Sequence, residues 1–285
     1  MIGTGIQFTV LSSGSTGNAT IVRNKDAALL IDAGLSAKRI DELMKEREFS
    51  GDQLQGILVT HEHSDHVRGL GAVARKYGLP IYANEKTWMA IEKAVGKITP
   101  EQKQIMQTGD FLSFGSLRIE SFGISHDAAE PVGYVFKDGE QKLSVATDLG
   151  YVSDKVMQSI SNSDVLVLEA NHDIEMLRMG RYPWNTKRRI LSDVGHLSND
   201  AAGEALSELL CQKMKRTYLA HLSLDHNMME LAKLSVRDAM ESRGCFYKDH
   251  EFQLCETYYN RPTPWDALNE TRQPADSAQV IPSGQ

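Results

Sequence analysis

The segment Thr60-His61-Glu62-His63-Ser64-Asp65-His66, which directly follows the apolar run Gly56-Ile57-Leu58-Val59, constrains this chain more than any other. A solvated histidine loop has no reason to sit at the mouth of a buried strand, whereas a metal site does. Imidazole and carboxylate together suit a borderline divalent ion. On an extended loop the alternating His61 and His63 face one ion, and Asp65 and His66, where the chain turns into a helix, face a second.

Other candidate ligands stand immediately beyond apolar segments: Asp32 after Leu29-Leu30-Ile31, His126 after Ile119 to Ser125, Asp148 after Leu143 to Thr147, and His221 after Thr217 to Ala220. Ligands at the ends of several strands converge on one sheet edge, where α/β proteins place their sites. The assignment that follows puts His61, His63 and His126 on one ion and Asp65, His66 and His221 on the other, with Asp148 bridging. Standing alone, Asp148 would read as a turn or N-cap residue and His221 as a satisfied core histidine.

The rest of the chain supports an α/β reading. Strand-like runs at 6–11, 19–23, 27–31, 56–60, 117–124, 133–136, 143–146, 165–168 and 217–220 are interspersed with helical patterns at 37–47, 67–76, 154–160, 201–210 and 229–242. Hairpins mixed with crossovers imply two sheets, or one mixed sheet, covered by helices. The net charge of −7 repels polyanions overall, so a nucleic-acid site has to be local. Arg178, Arg181, Lys187, Arg188 and Arg189 around Tyr182 and Trp184 supply one such patch, the alternative being an ordinary solvated helix face. Cys211, Cys245 and Cys255 form no CxxC pair and read as buried small hydrophobes rather than a disulfide framework or thiolate site. The N-terminal residues lack signal-peptide character and no apolar stretch reaches membrane-spanning length, so a cytoplasmic location is expected. Four of the eight prolines follow Tyr258. The expected division is therefore a catalytic domain over 1–256 and a poorly ordered tail over 257–285, with docking through Trp265 and Leu268 as the alternative.

The HxHxDH motif, preceded by Leu30-Ile31-Asp32-Ala33-Gly34 and followed by single His, Asp and His residues in that order, resembles the metallo-β-lactamase superfamily. The resemblance covers roughly Ile6 to Glu256. It implies an αβ/βα sandwich, two mixed β-sheets flanked by helices, with a binuclear site at one edge and Asp32 supporting the ligand loop from behind. The β-lactam-hydrolysing branch carries Cys at the position of Asp148, and this chain has none there. An Asp fits instead the branches that act on phosphodiesters or thioesters.

Phosphodiesters are favoured by His126-Asp127-Ala128-Ala129-Glu130-Pro131-Val132-Gly133, which resembles the matching segment of ribonucleases Z and J. They are favoured too by Gly195-His196-Leu197-Ser198-Asn199 before a helix, where His196 and Ser198 would meet a phosphate, unless His196 belongs only to a cap. Ribonuclease J inserts a domain between the positions of Asp148 and His221, where this chain has 72 residues, and ribonuclease Z an arm between those of His126 and Asp148, which are 22 apart. With Ser12 to Asn18, Glu169-Ala170-Asn171-His172-Asp173 and Ala220-His221-Leu222-Ser223 added, the chain is most similar to the YycJ (WalJ) family of bacterial exonucleases. That similarity implies a 5′-to-3′ exodeoxyribonuclease of DNA mismatch repair, working by metal-hydroxide attack with two ions of manganese or zinc, iron being a further option. Asp65 would hold or accept the proton of the attacking water and His196 would stabilise the phosphate or protonate the leaving oxygen. Ser15 and Asn18 belong to a loop that either holds a phosphate or is a plain turn, and His172 either contacts the terminal phosphate or is a surface residue. The partner is DNA, with RNA as the alternative. Competing functions are hydrolysis of small phosphodiesters or nucleotides, a thioesterase of the glyoxalase II kind, and a non-enzymatic module whose metals are structural.

Overall fold

The computed structural model describes residues 5–210 and 213–269. The first of two seven-stranded sheets is built from β1 (Gln7–Ser12), β2 (Ala19–Arg23), β3 (Ala28–Ile31), β4 (Gly56–Leu58), β5 (Ile81–Ala83) and β6 (Lys103–Ile105) in that order, with β14 (Asp266–Ala267) outside β1. The second runs β7 (Phe111–Phe114), β8 (Leu117–Gly123), β9 (Val132–Asp138), β10 (Gln141–Ala146), β11 (Val165–Glu169), β12 (Arg216–Ala220) and β13 (Gln253–Glu256). In each sheet the early strands are antiparallel hairpins and the later ones parallel, except that β14 lies antiparallel to β1. The parallel strands of both sheets end at one common edge, where open α/β sheets leave room for ligands.

Periodicity explains the layering. Between the sheets lie the alternate side chains of strands from both, including Phe8, Val22, Leu29, Leu58, Tyr134, Phe136, Val165 and Tyr218. Phe8 meets Tyr218 edge to face at 5.0 Å. Outside the first sheet pack α1 (Ala37–Lys45), α3 (Leu70–Tyr77) and α4 (Glu85–Val95), through stripes such as Ile40, Leu43 and Met44. Outside the second pack α5 (Asp154–Ile160), α8 (Asn199–Leu209) and α9 (Met229–Ser242). Among the described residues no helix is long and apolar enough to cross a membrane.

Two sequence expectations need correction. The helix read over 67–76 is split into α2 (Ser64–Val67) and α3 at Gly69, whose N–H turns away to bond Ala33 O at 2.8 Å. The domain also runs past residue 256. Residues 257–268 cross from the second sheet to the first, where β14 pairs with β1. Trp265 packs on the first core and donates to Arg47 O at 3.0 Å, with the Arg23 guanidinium 3.7 Å above its ring. Asp266, 1% exposed, receives Arg216 in a bidentate pair at 2.8 and 3.0 Å and the Tyr218 hydroxyl at 2.5 Å. A buried guanidinium needs such a partner, and that need outweighs the loop-like composition. The remainder of the expected tail, and Cys211, lie outside the described residues, while Cys245 and Cys255 are half-buried rather than buried.

Candidate metal centre

The histidine loop leaves β4 and is clamped at once. Asp32, just past β3, accepts from Thr60 N and Thr60 Oγ1 at 2.8 Å each and from His66 Nδ1 at 2.7 Å. A Cβ on Gly34 would lie 1.6 Å from Asp65 O, so only glycine lets the two loops touch. Asp32, Asp148 and His221 have φ of 58°, 60° and 55°, three of the five left-handed non-glycine residues among those described. Each terminates a strand of the parallel set, and the reversal swings its side chain to the common edge.

The hydrogen bonds behind the histidines determine what they present in front. His66 Nδ1 faces Asp32, His61 Nδ1 faces Thr60 Oγ1 at 3.0 Å, His126 Nδ1 faces Gly195 O at 3.0 Å and His221 Nδ1 faces Glu169 Oε1 at 3.0 Å. Each Nδ1 is thereby a donor, so a neutral ring turns its Nε2 lone pair inward. His66 Nε2 stands 3.3 Å from Asp148 Oδ2 and 3.5 Å from Asp65 Oδ2. His221 Nε2 stands 3.4 Å from Asp148 Oδ1 and 3.5 Å from Asp65 Oδ2. His126 Nε2 lies 3.3 Å from His63 Nδ1. His61 Nε2 and Asp148 Oδ2 are buried with no hydrogen-bond partner.

Such a convergence is satisfied by positive charge between the groups, carried either by protons on the rings or by cations in their place. The structure brings His61, His63 and His126 into one group and Asp65, His66, Asp148 and His221 into another, with ligand atoms within 4.8 Å of one another in each. Nitrogen and carboxylate oxygen donors of this kind fit two borderline divalent ions, and the residues present fit that requirement. Electrostatics agree. Burial opposes charge on His66, yet Asp148 and Asp32 outweigh it and hold the ring well above its usual range. Burial likewise opposes charge on His221, but Asp148, then Asp65 and Glu169, raise it to about 10. A site that draws protons this strongly has positive charge to accept. His61 is kept neutral, first by burial and then by His66.

Sequence reasoning missed Glu169. It ends β11, is fully buried, and accepts from His196 Nδ1 at 2.7 Å and His221 Nδ1 at 3.0 Å through Oε1, and from Leu149 N at 2.8 Å and Leu197 N at 3.1 Å through Oε2. Burial opposes its charge, but His196 and His221 keep its carboxyl at about 2. The available signal was a carboxylate closing the run Val165-Leu166-Val167-Leu168. His196 is raised above its usual value because Glu169 outweighs its burial, and its ring stacks on His221 at 5.2 Å. Thr60, Asn171 and Ser13 were also missed. Asn171 Nδ2 donates to His221 O at 2.8 Å, and Ser13 Oγ accepts His221 N–H at 2.8 Å.

The expected substrate contacts divide. Asn18 Nδ2 lies 3.3 Å from Asp65 Oδ2 and 3.0 Å from His66 Nε2, inside the centre, whereas Ser15 is at the exposed tip of the same loop. Ser198 is the N-cap of α8, its Oγ accepting from Ala201 N. His172 is 1% exposed with neither ring nitrogen partnered, and burial lowers it to about 4, so it is a neutral interior ring rather than a surface cation. In the basic segment Lys187 is buried, its Nζ donating to Arg178 O at 2.6 Å. Arg178 pairs with Glu175, Arg189 with Asp127, and the Tyr182 hydroxyl with Asp225. Arg181, Arg188 and Trp184 remain exposed.

Residues 28–222 match the model of the beta-lactamase superfamily domain. The chain is 52% identical over 259 residues to exodeoxyribonuclease YycJ of Bacillus anthracis, covering 91% of this chain and 98% of that one. It is 47% identical over 234 residues to exodeoxyribonuclease WalJ of Streptococcus pneumoniae, covering 81% and 87%. Among solved structures it resembles the metallo-beta-lactamase fold protein YhfI of Bacillus subtilis, with a TM-score of 0.67, 17% identity and coverage of 90% and 98%, a likeness of fold.

Proposed function

We propose, given that this chain belongs to the beta-lactamase superfamily and within it to the family of the YycJ and WalJ exodeoxyribonucleases, that it is a metal-dependent hydrolase degrading DNA from its 5′ end in cytoplasmic mismatch repair. The observation that carries this reading is the convergence of imidazole nitrogens on Asp65 and Asp148 in two groups whose ligand atoms lie within 4.8 Å of one another. His61, His63 and His126 would hold one ion and Asp65, His66 and His221 the other, with Asp148 shared; manganese or zinc are the proposed occupants, and iron also accepts this donor set. The chemistry a pair of divalent ions supplies when bound is polarisation of the phosphate and a nucleophilic water at neutral pH.

The chain's own residues do the rest. Asp65, oriented by Asn18, takes up the proton of the attacking water. His196 carries its Nδ1 proton to Glu169, which leaves Nε2 as the atom that protonates the departing oxygen. The fixed ring also neutralises charge gathering on the phosphate. Arg181 and Arg188 contact the strand beyond the site.

The test is digestion of 5′-phosphorylated, 3′-labelled duplex DNA by metal-stripped protein with manganese or zinc restored, beside Asp148→Ala. Metal-dependent release of mononucleotides from the 5′ end, absent in the variant, is expected. Cleavage of a model diester with no attack on DNA would overturn the reading.

A further inference from the structure

The segment 257–268 does more than close the sandwich, because its first turn runs beside the metal centre. Tyr258 O accepts from Ser13 N at 3.0 Å and Tyr259 O accepts from Ser12 Oγ at 2.8 Å. Ser13 holds His221, so the segment is two hydrogen bonds from a proposed metal ligand. Gly14 fixes the next layer. A Cβ built there would lie 3.3 Å from Leu222 O, next to His221, and 3.8 Å from Tyr259 Cβ. Tyr259 is thus seated on the Gly14 to Gly17 loop, whose Asn18 reaches Asp65 and His66.

Chemistry at that edge is unlike ordinary surface. The Tyr259 side chain is 47% exposed although its backbone is fastened. Two residues further on, the Arg261 guanidinium stacks on the Tyr258 ring at 3.8 Å. The nearby Glu256 carboxylate is taken up by Lys233 at 2.6 Å and the Tyr258 hydroxyl at 2.9 Å, which blunts its repulsion of an anion. Arg39 donates to Asn260 O at 2.6 Å and keeps the turn in position. An exposed ring on a fastened backbone, with a cation held two residues further along the same turn, offers a nucleobase a stacking face and its phosphate a counter-charge. The basic segment around Arg181 and Arg188 is tied to the rim of the same site, since Asp225 of the loop leaving His221 accepts from the Tyr182 hydroxyl.

We infer that Tyr259, flanked by Arg261, is the stacking platform for the base of the 5′-terminal nucleotide, while the Arg181 and Arg188 bank carries the body of the strand. This rests on the exonuclease reading above, and it accounts for end recognition by the C-terminal segment.

The experiment compares kcat/KM for 5′-phosphorylated oligonucleotides whose terminal residue carries a base or is abasic, using wild type, Tyr259→Ala and Tyr259→Trp, with hydrolysis of bis(p-nitrophenyl) phosphate as control. Wild type should lose about tenfold on the abasic substrate, as expected for one base on one ring. Tyr259→Ala should lose about as much on the normal substrate and be indifferent to the abasic change, while Tyr259→Trp restores discrimination. All three proteins should hydrolyse the model diester equally. An abasic penalty of equal size in wild type and Tyr259→Ala would overturn the assignment. A wild type that leaves all DNA intact would instead defeat the exonuclease reading itself.

Discussion

Replacing Glu169 with Gln tests the logic of the centre because every acceptor position of the carboxylate is in use. A carboxylate offers about four lone-pair sites, and here four donors fill them: His196 and His221 on Oε1, Leu149 N and Leu197 N on Oε2. An amide must turn its NH₂ toward one pair or the other. Facing the backbone, it strands two buried N–H groups at about 1–3 kcal/mol each, or roughly 2–6 kcal/mol in all. For a domain of this size that is a fall in Tm of roughly 5–20 °C. Facing the histidines, it favours the tautomer with protonated Nε2, which cannot bind an ion at His221, and it no longer supplies the negative charge that keeps the His196 ring protonated as an acid. Loss of a positioned general acid then lowers kcat by about 10²–10⁴-fold. The assay is differential scanning fluorimetry with and without chelator, metal content by mass spectrometry, and steady-state hydrolysis of an oligonucleotide. Wild-type Tm, full metal content and kcat within about threefold of wild type together would refute the reasoning.

Three further outcomes are expected. His196→Ala should keep its metal and lose about 10²–10⁴-fold in kcat, checked by metal analysis and single-turnover rates, since its Nδ1 is taken up by Glu169 and the assigned ligands of both ions remain. Removing the charges of Arg181 and Arg188 together should weaken duplex binding and reduce the slope of log K against log salt by about 2, read by fluorescence anisotropy, while Lys187→Gln should leave that slope alone. Asp266→Ala should cost about 3–5 kcal/mol in urea unfolding, because it removes the buried carboxylate that takes up the Arg216 guanidinium and the Tyr218 hydroxyl.

What the sequence disclosed was local chemistry. Asp32, the His61 to His66 loop, Asp148 and His221 each follow an apolar run by one or a few residues, so a strand and the polar group at its end are visible together. Glu169 was not legible, because a carboxylate closing a strand ordinarily faces water. Its burial depends on β11 lying between β10 and β12, with His196 folded over the top. Lys187 misled for the opposite reason. Within a run of cations it looks solvated, yet its flexible stem lets the ammonium reach a carbonyl from a buried position. Short edge strands such as β6 and β7 carry too few apolar residues to stand out. The prolines near the end suggested a loose tail, while Trp265 and Asp266, whose partners Arg47 and Arg216 lie 218 and 50 residues away, decided the matter.

The left-handed backbone at Asp32, Asp148 and His221 carries a consequence for anyone redesigning this chain. An L side chain in that conformation costs roughly 1–2 kcal/mol, and glycine would relieve that cost at each of the three. The relief is outweighed, because glycine at Asp32 would also strand Thr60 N, Thr60 Oγ1 and His66 Nδ1 at about 1–3 kcal/mol each, and glycine at His221 would take one donor from the buried Glu169. Backbone strain and buried polar partners share the same three peptide units, so a redesign that eases the first there loses the second.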